Sequence, residues 1–221
     1  MQQYLDLIDK VYVVSLASRL DRRSKWTGLS QQLPLLKNKL QIIDAVDGRT
    51  LVNTTGIKHG ELGCSLSHMN IWQEALANQY RLILVFEDDI LLDGEFEKEL
   101  GKILAELKME FDWVYLYNTW DYRPTEPFSE NLVKVIASLG TQAYVLNTGA
   151  VNRILPYVRE FRFPIDVVMG HMSFLSRVYR PKKMLVQHNE TMQSDTTGVG
   201  SSGRITRTRQ LIKKLAFWNY R

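Results

Sequence analysis

Apolar residues in this chain follow two rhythms. Short runs rich in β-branched and aromatic residues predict strands. They are KVYVVSL (10–16), LQIIDAVDG (40–48, ending in a turn at Asp47-Gly48), RLILVFEDDI (81–90), DWVYLY (112–117), TQAYVLN (141–147) and RPKKMLVQHN (180–189). Apolar residues spaced three and four apart predict helices between them. In GELGCSLSHMNIWQEALANQ (60–79), Leu62, Leu66, Met69, Trp72 and Leu76 recur at intervals of four, three, three and four. SRLDRRSKWTGLSQQLP (18–34) predicts a helix capped by Ser18, with Asp21 three residues on and Pro34 closing it. EFEKELGKILAELK (95–108) and TGAVNRILPYVRE (148–160) predict two more helices, and residues 49–60 read as a loop.

Alternating strands and helices imply an α/β fold with a largely parallel sheet. Ligands in such sheets bind at the carboxyl ends of the strands. The most apolar strand, ILVF (83–86), runs into Glu87, Asp88 and Asp89 at that end. Side chains alternate along a strand, so Glu87 and Asp89 are expected on one face and Asp88 on the other. Two carboxylates on one face suit a hard divalent cation. Without one they repel, and one must hold a proton. The alternative is that the acids cap the next helix or face solvent. A phosphate-receiver domain is excluded, because no acceptor Asp follows at the end of a later strand: DWVYLYN and TQAYVLN end in Asn118 and Asn147.

Composition narrows the class. A length of 221 residues with 45% hydrophobic residues allows one domain with an appendage. No apolar run is long enough to span a membrane, and the start lacks a signal-peptide layout. Cys64 is the single cysteine, so no intrachain disulfide forms, and a cytoplasmic location is expected. The net charge of +4 is uneven. Six basic residues (Arg204, Arg207, Arg209, Lys213, Lys214 and Arg221) follow the last acid, Asp195, and without them 22 bases face 24 acids. A slightly acidic body argues against nucleic-acid binding. The expected organisation is a catalytic domain over 1–195, a small-residue linker over 196–203 and a basic tail helix over 204–221. That tail suits an anionic membrane surface, or packs back on the domain.

Several segments in one order carry a family resemblance: VYVVSLASRLDRR, IIDAVDG, GELGCSLSHMNIWQEAL, LILVFEDDI, TQAYVLNTGAVNRIL, FPIDVVM and LVQHNETMQSD. From about residue 10 to 195 the chain resembles glycosyltransferase family 25, which includes bacterial lipooligosaccharide galactosyltransferases and collagen galactosyltransferases. GELGCSLSH before a strand ending in EDD is the specific part. The resemblance implies a GT-A type, Rossmann-like, mostly parallel sheet flanked by helices. It also implies inverting transfer of a hexose, galactose from UDP-galactose, to a glycan or glycolipid acceptor, with Mn²⁺ (or Mg²⁺). The alternatives are a non-catalytic sugar-nucleotide-binding protein of the same fold, or a metal-dependent phosphohydrolase.

Roles follow from the resemblance position by position. Asp89 is the first choice as metal ligand, with Glu87 beside it and His188 as a second ligand from the sheet's C-terminal end. His188 is otherwise an ordinary surface or core histidine. Asp88 meets the ribose or donor sugar. Ser15 and Leu16 line the nucleoside pocket, and Arg19 or Arg23 meets the diphosphate, since a guanidinium fork matches phosphate oxygens. Arg22 reads as solvated. Glu61, Ser65 and His68 share a helical face expected to look into the site, while Cys64 and Ser67 read as packing residues. The general base should stand on the acceptor side. Asp166 is the candidate, with a helix cap as the alternative. Asp195 is the second candidate, or holds a donor-side loop. Acceptor pockets are expected in loops such as WDYRPTEPFSE (120–130).

Overall fold

A computed structural model describes residues 2–189. Asp195, the linker over 196–203 and the basic tail over 204–221 lie outside the described residues. In chain order the elements are α1 (Gln2–Leu5), β1 (Lys10–Ser15), α2 (Leu20–Leu29), β2 (Leu40–Asp44), α3 (His59–Ala77), β3 (Leu82–Glu87), β4 (Ile90–Leu92) and α4 (Phe96–Leu107). There follow β5 (Trp113–Tyr117), β6 (Trp120–Asp121), β7 (Glu126–Pro127), β8 (Leu132–Lys134), β9 (Ser138–Leu139), β10 (Ala143–Asn147), α5 (Val151–Val158), α6 (Ile165–Met172), β11 (Val178–Pro181) and β12 (Val186–His188).

The central sheet has the order β2-β1-β3-β10-β5-β11-β8-β7. Six of its eight strands run in one direction, while β10 and β8 run against them. This is the mostly parallel α/β sheet flanked by helices that the strand and helix pattern predicts, and it agrees with the Rossmann-like, GT-A type sheet that the family resemblance implies. No helix among the described residues is long and apolar enough to cross a membrane.

β3 explains the sheet's position. Its residues from Leu82 to Phe86 are fully buried, because both faces are covered. Leu82, Leu84 and Phe86 pack with Trp26 of α2 and Leu100 and Leu104 of α4. Ile83 and Val85 pack on the other face, with Met69 and Trp72 of α3 and Tyr144 of β10. Full burial of each such side chain stabilises the fold by roughly 1.5–3 kcal/mol.

Two local expectations change. The strand predicted over 81–90 ends at Glu87, Asp88 and Asp89 form a turn, and Ile90 opens β4. β4 pairs antiparallel with β12, His188 opposite Ile90. In that turn both buried carboxylates have partners, Asp88 with Ser15 and Arg22 and Asp89 with His188, which offsets the cost of burying them. Ser18 does not cap α2. The residue before the helix is Arg19, which makes no side-chain cap bond, and its guanidinium instead grips Asp21 in the first turn.

Candidate functional site

An open cleft lies where β1, β2 and β3 end. Ser15 and Leu16 line it at the end of β1, Ala45 to Arg49 after β2, and Glu87 to Asp89 at the end of β3. Gly60, Cys64, Ser67 and His68 of α3 close one side.

Two glycines set the cleft's wall. A Cβ on Gly48 would lie 1.7 Å from the His59 carbonyl oxygen, and one on Gly63 would lie 2.5 Å from that of Val46. The loop after β2 therefore seats directly on the first turns of α3, where only hydrogen fits. The Ser67 hydroxyl fastens the same seam by donating to Gly63 O at 2.7 Å and accepting from Val46 N at 2.8 Å.

The acidic turn divides between two sides of the sheet. Glu87 faces α3: its carboxylate accepts from Thr141 Oγ1 at 2.7 Å and lies 3.8 Å from His68 Nε2. Asp88 faces α2 and is buried. It accepts from Ser15 Oγ and from Arg22 Nη1, each at 2.6 Å. Burial pushes the Asp88 carboxyl above its ordinary value, and the Ser15 and Arg22 bonds pull it part of the way back. Asp89 is also buried and also turns toward α2, 3.6 Å from Arg22 Nη1 and 3.3 Å from His188 Nε2. The expected pairing of Glu87 with Asp89 on one face is thus corrected. Alternation holds for Glu87 and Asp88 but fails at Asp89, because the strand has already ended.

Arg22 is the residue that sequence reasoning missed. Expected in solvent, it is only 3% exposed. A signal existed: Arg22 precedes the fully buried Trp26 by four residues, so both belong to the inner face of α2. Trp26 Nε1 also reaches the Asp88 carbonyl at 3.4 Å.

Other candidates sit elsewhere than the cleft. Arg23 donates to the Ser15 and Leu16 carbonyls at 2.8 and 3.1 Å and pairs with Asp44, clamping β1 to β2. Ser65 is buried and accepts from Ile165 N at 3.2 Å, which docks α6 on α3. Glu61 accepts from Lys58 N at 2.8 Å at the start of its own helix. Of the three residues expected to share a site-facing surface, His68 alone lines the cleft. Asp166 lies in the first turn of α6 and accepts from Val167 N at 2.8 Å. It is half-buried, outside the cleft lining, and its charge adds to the burial that raises the Tyr122 phenol. In the loop expected to meet acceptors, Trp120 and Tyr122 pack ring to ring at 6.1 Å.

The chemistry of the donor atoms tests the expected cation. Asp89 and His188 converge; the Asp89 carboxylate oxygen suits Mn²⁺ or Mg²⁺, whereas the His188 nitrogen is the softer ligand of the two and suits Mg²⁺ least. Glu87 does not join them. Among the described residues, Cys64, His68 and Glu87 are the one group of three that brings such atoms within 4.8 Å of one another.

A model of glycosyltransferase family 25 (LPS biosynthesis protein) matches residues 8–139. The chain is 30% identical to the inactive glycosyltransferase 25 family member 3 of Mus musculus, over 66% of this chain and 28% of that protein. It is 31% identical to procollagen galactosyltransferase 1-A of Xenopus laevis, over 72% of this chain and 30% of that protein. The chain therefore spans under a third of the length of these curated relatives. Among solved structures it is similar to a mannose-1-phosphate geranyltransferase from Thermus thermophilus, at 11% identity and TM-score 0.47, covering 80% of this chain and 75% of that one.

Proposed function

The chain belongs to glycosyltransferase family 25, and on that premise we propose that it transfers a hexose, galactose from UDP-galactose, with inversion. The acceptor is a sugar hydroxyl of a lipopolysaccharide- or lipooligosaccharide-type glycan. One observation carries this reading: an open cleft at the carboxyl edge of β1, β2 and β3, floored by the buried Asp88 and Asp89. The family's description as LPS biosynthesis protein supports the acceptor class, and the galactosyltransferase names of its relatives support the sugar.

In this reading the loop after β2 and the Ser15–Leu16 segment hold the nucleoside, and the edge carrying Asp88 and Asp89 meets the ribose and diphosphate. A Mn²⁺ or Mg²⁺ ion bound by Asp89 and His188 would offset charge on the leaving diphosphate. The acceptor oxygen forms a bond to the anomeric carbon from the side opposite the diphosphate. The carbon–oxygen bond to the diphosphate breaks, UDP leaves with that electron pair, and a carboxylate takes the hydroxyl proton. Asp166 is proposed for the last role, with Asp195 as its alternative. A peripheral position on the inner face of the inner membrane would follow from the basic tail.

A second reading has its own support. Arg22 already neutralises Asp88, and the mouse relative is named inactive. A sugar-nucleotide-binding protein without transfer fits both facts. Calorimetry with UDP-galactose and other UDP-sugars, with and without Mn²⁺, followed by product analysis on truncated surface glycans, separates the readings. Transfer with binding establishes the first and binding alone the second. Absence of binding by any UDP-sugar overturns both.

A further inference from the structure

Cys64 and His68 lie four residues apart on α3, so both project from one helical face. That face meets the end of β3, where Glu87 stands. His68 is fully buried, and its Nε2 makes no hydrogen bond although it points toward Glu87 at 3.8 Å. Leaving a polar nitrogen dry in this way is unfavourable unless something else satisfies it.

We propose that Cys64, His68 and Glu87 bind a divalent cation of the Zn²⁺ class, with its remaining coordination position open to the cleft. Sulfur, nitrogen and carboxylate oxygen together suit zinc rather than Mn²⁺ or Mg²⁺, which prefer oxygen. Bonds of about 2.0–2.3 Å at tetrahedral angles put ligand atoms roughly 3.3–3.6 Å apart. The three atoms already lie within 4.8 Å of one another, so closure asks for about an ångström of side-chain movement. Three protein ligands with a fourth position open is the arrangement of a reactive zinc site rather than a structural one.

The supporting contacts are in place. Tyr144 Oη lies 2.8 Å from His68 Nδ1, and the tautomer that donates from Nδ1 turns the Nε2 lone pair toward Glu87. Thr141 Oγ1 donates to Glu87 Oε1 at 2.7 Å and lies 4.0 Å from Cys64 Sγ. Such outer contacts orient metal ligands and tune affinity. Binding releases the thiol proton to solvent, and thiolate plus carboxylate then balance the charge of the ion. Asp89, turned to the other side of the sheet with His188, is no part of this group.

The test uses the full-length protein, stripped with chelator and free of UDP-sugar, so it is independent of the transfer reading. Co²⁺ is titrated as a spectroscopic stand-in for Zn²⁺. The expected result is a thiolate-to-cobalt charge-transfer band saturating at one ion per chain and displaced by Zn²⁺. Because Cys64 is the single cysteine, the band has one possible source. Glu87→Gln and Thr141→Ala should each weaken binding by roughly tenfold or more, with circular dichroism verifying that the variants fold. Absence of the band in protein whose thiol still reacts with an alkylating reagent overturns the proposal. So does unchanged affinity in folded Glu87→Gln, which would leave Cys64 as a lone thiol binding metal by itself.

Discussion

The Arg22 guanidinium stands 2.6 Å from the Asp88 carboxylate, and neither residue is more than 7% exposed. This pair joins α2 to the turn that ends β3, so it fixes the floor of the cleft. Removing one partner of a buried pair leaves the other charge uncompensated. Arg22→Ala should therefore lower unfolding free energy by about 3–5 kcal/mol, read from urea denaturation. Adding Asp88→Asn should recover part of that loss, since the two changes couple. A single-variant loss below about 0.5 kcal/mol, the range of ordinary surface substitutions, would show that the pair holds nothing.

The same pair predicts a pH dependence. Burial raises the Asp88 carboxyl above its ordinary 3.8, so its ionised form is the strained one in the folded protein. For such a group, stability is fully present below the unfolded value and is lost as pH rises through the folded value. Arg22→Ala removes a group that favours ionisation, so it raises the folded value further. Its penalty relative to wild type should be largest near neutral pH and should shrink as pH falls toward 3.8. Denaturation of both proteins across that window checks the sign.

Much of this frame was legible in the sequence. The runs at 10–16, 81–90 and 141–147 announced β1, β3 and β10, and the three-four stripe announced α3. What stayed hidden depends on where elements meet. TQAYVLN says nothing about running against its neighbours, because direction is set by connections and not by composition. Val178–Pro181, a strand of four residues ending in proline, gives too short a signal to stand out. The acids were legible as a cluster. Their division into Glu87 against α3, and Asp88 and Asp89 against α2, required knowing that the strand stops at residue 87.

Gly63 offers a test of the cleft wall without touching a charged group. Gly63→Ala places a methyl 2.5 Å from a backbone oxygen that cannot rotate away. It should cost about 1–3 kcal/mol and weaken nucleotide binding by displacing the loop after β2. Gly28 in α2 is the control, since a Cβ there meets nothing within 4 Å. Gly28→Ala should be stabilising by about 0.5–1 kcal/mol. Thermal denaturation of the two variants should move in opposite directions, and parallel shifts would refute the packing argument.

Asp89 and His188 converge from two strands, β12 holding His188 opposite Ile90 of β4. If this pair binds the catalytic cation, Asp89→Asn and His188→Gln should each abolish Mn²⁺-dependent enhancement of UDP-sugar binding while leaving metal-free binding measurable. Calorimetry with and without Mn²⁺ reads the difference. Enhancement that survives both changes would remove the pair from the metal site and leave Asp89 as a partner of Arg22.

Asp166 decides between two accounts of one carboxylate. It stands in the first turn of α6 and accepts from Val167 N, a position where an acid favours the helix N-terminus by about 0.3–1 kcal/mol. A helix-terminal role alone predicts that Asp166→Asn lowers stability by that small amount and leaves turnover intact. A general-base role predicts loss of turnover by roughly 10²–10⁴-fold with UDP-sugar affinity unchanged, since the base touches the acceptor and not the donor. Ser65 already fixes the entry of α6 by accepting from Ile165 N at 3.2 Å, so the helix should remain seated in the variant. Single-turnover transfer and donor calorimetry on the same preparation separate the accounts. A collapse of donor affinity with normal turnover of bound donor would exclude Asp166 as the base and turn attention to Asp195.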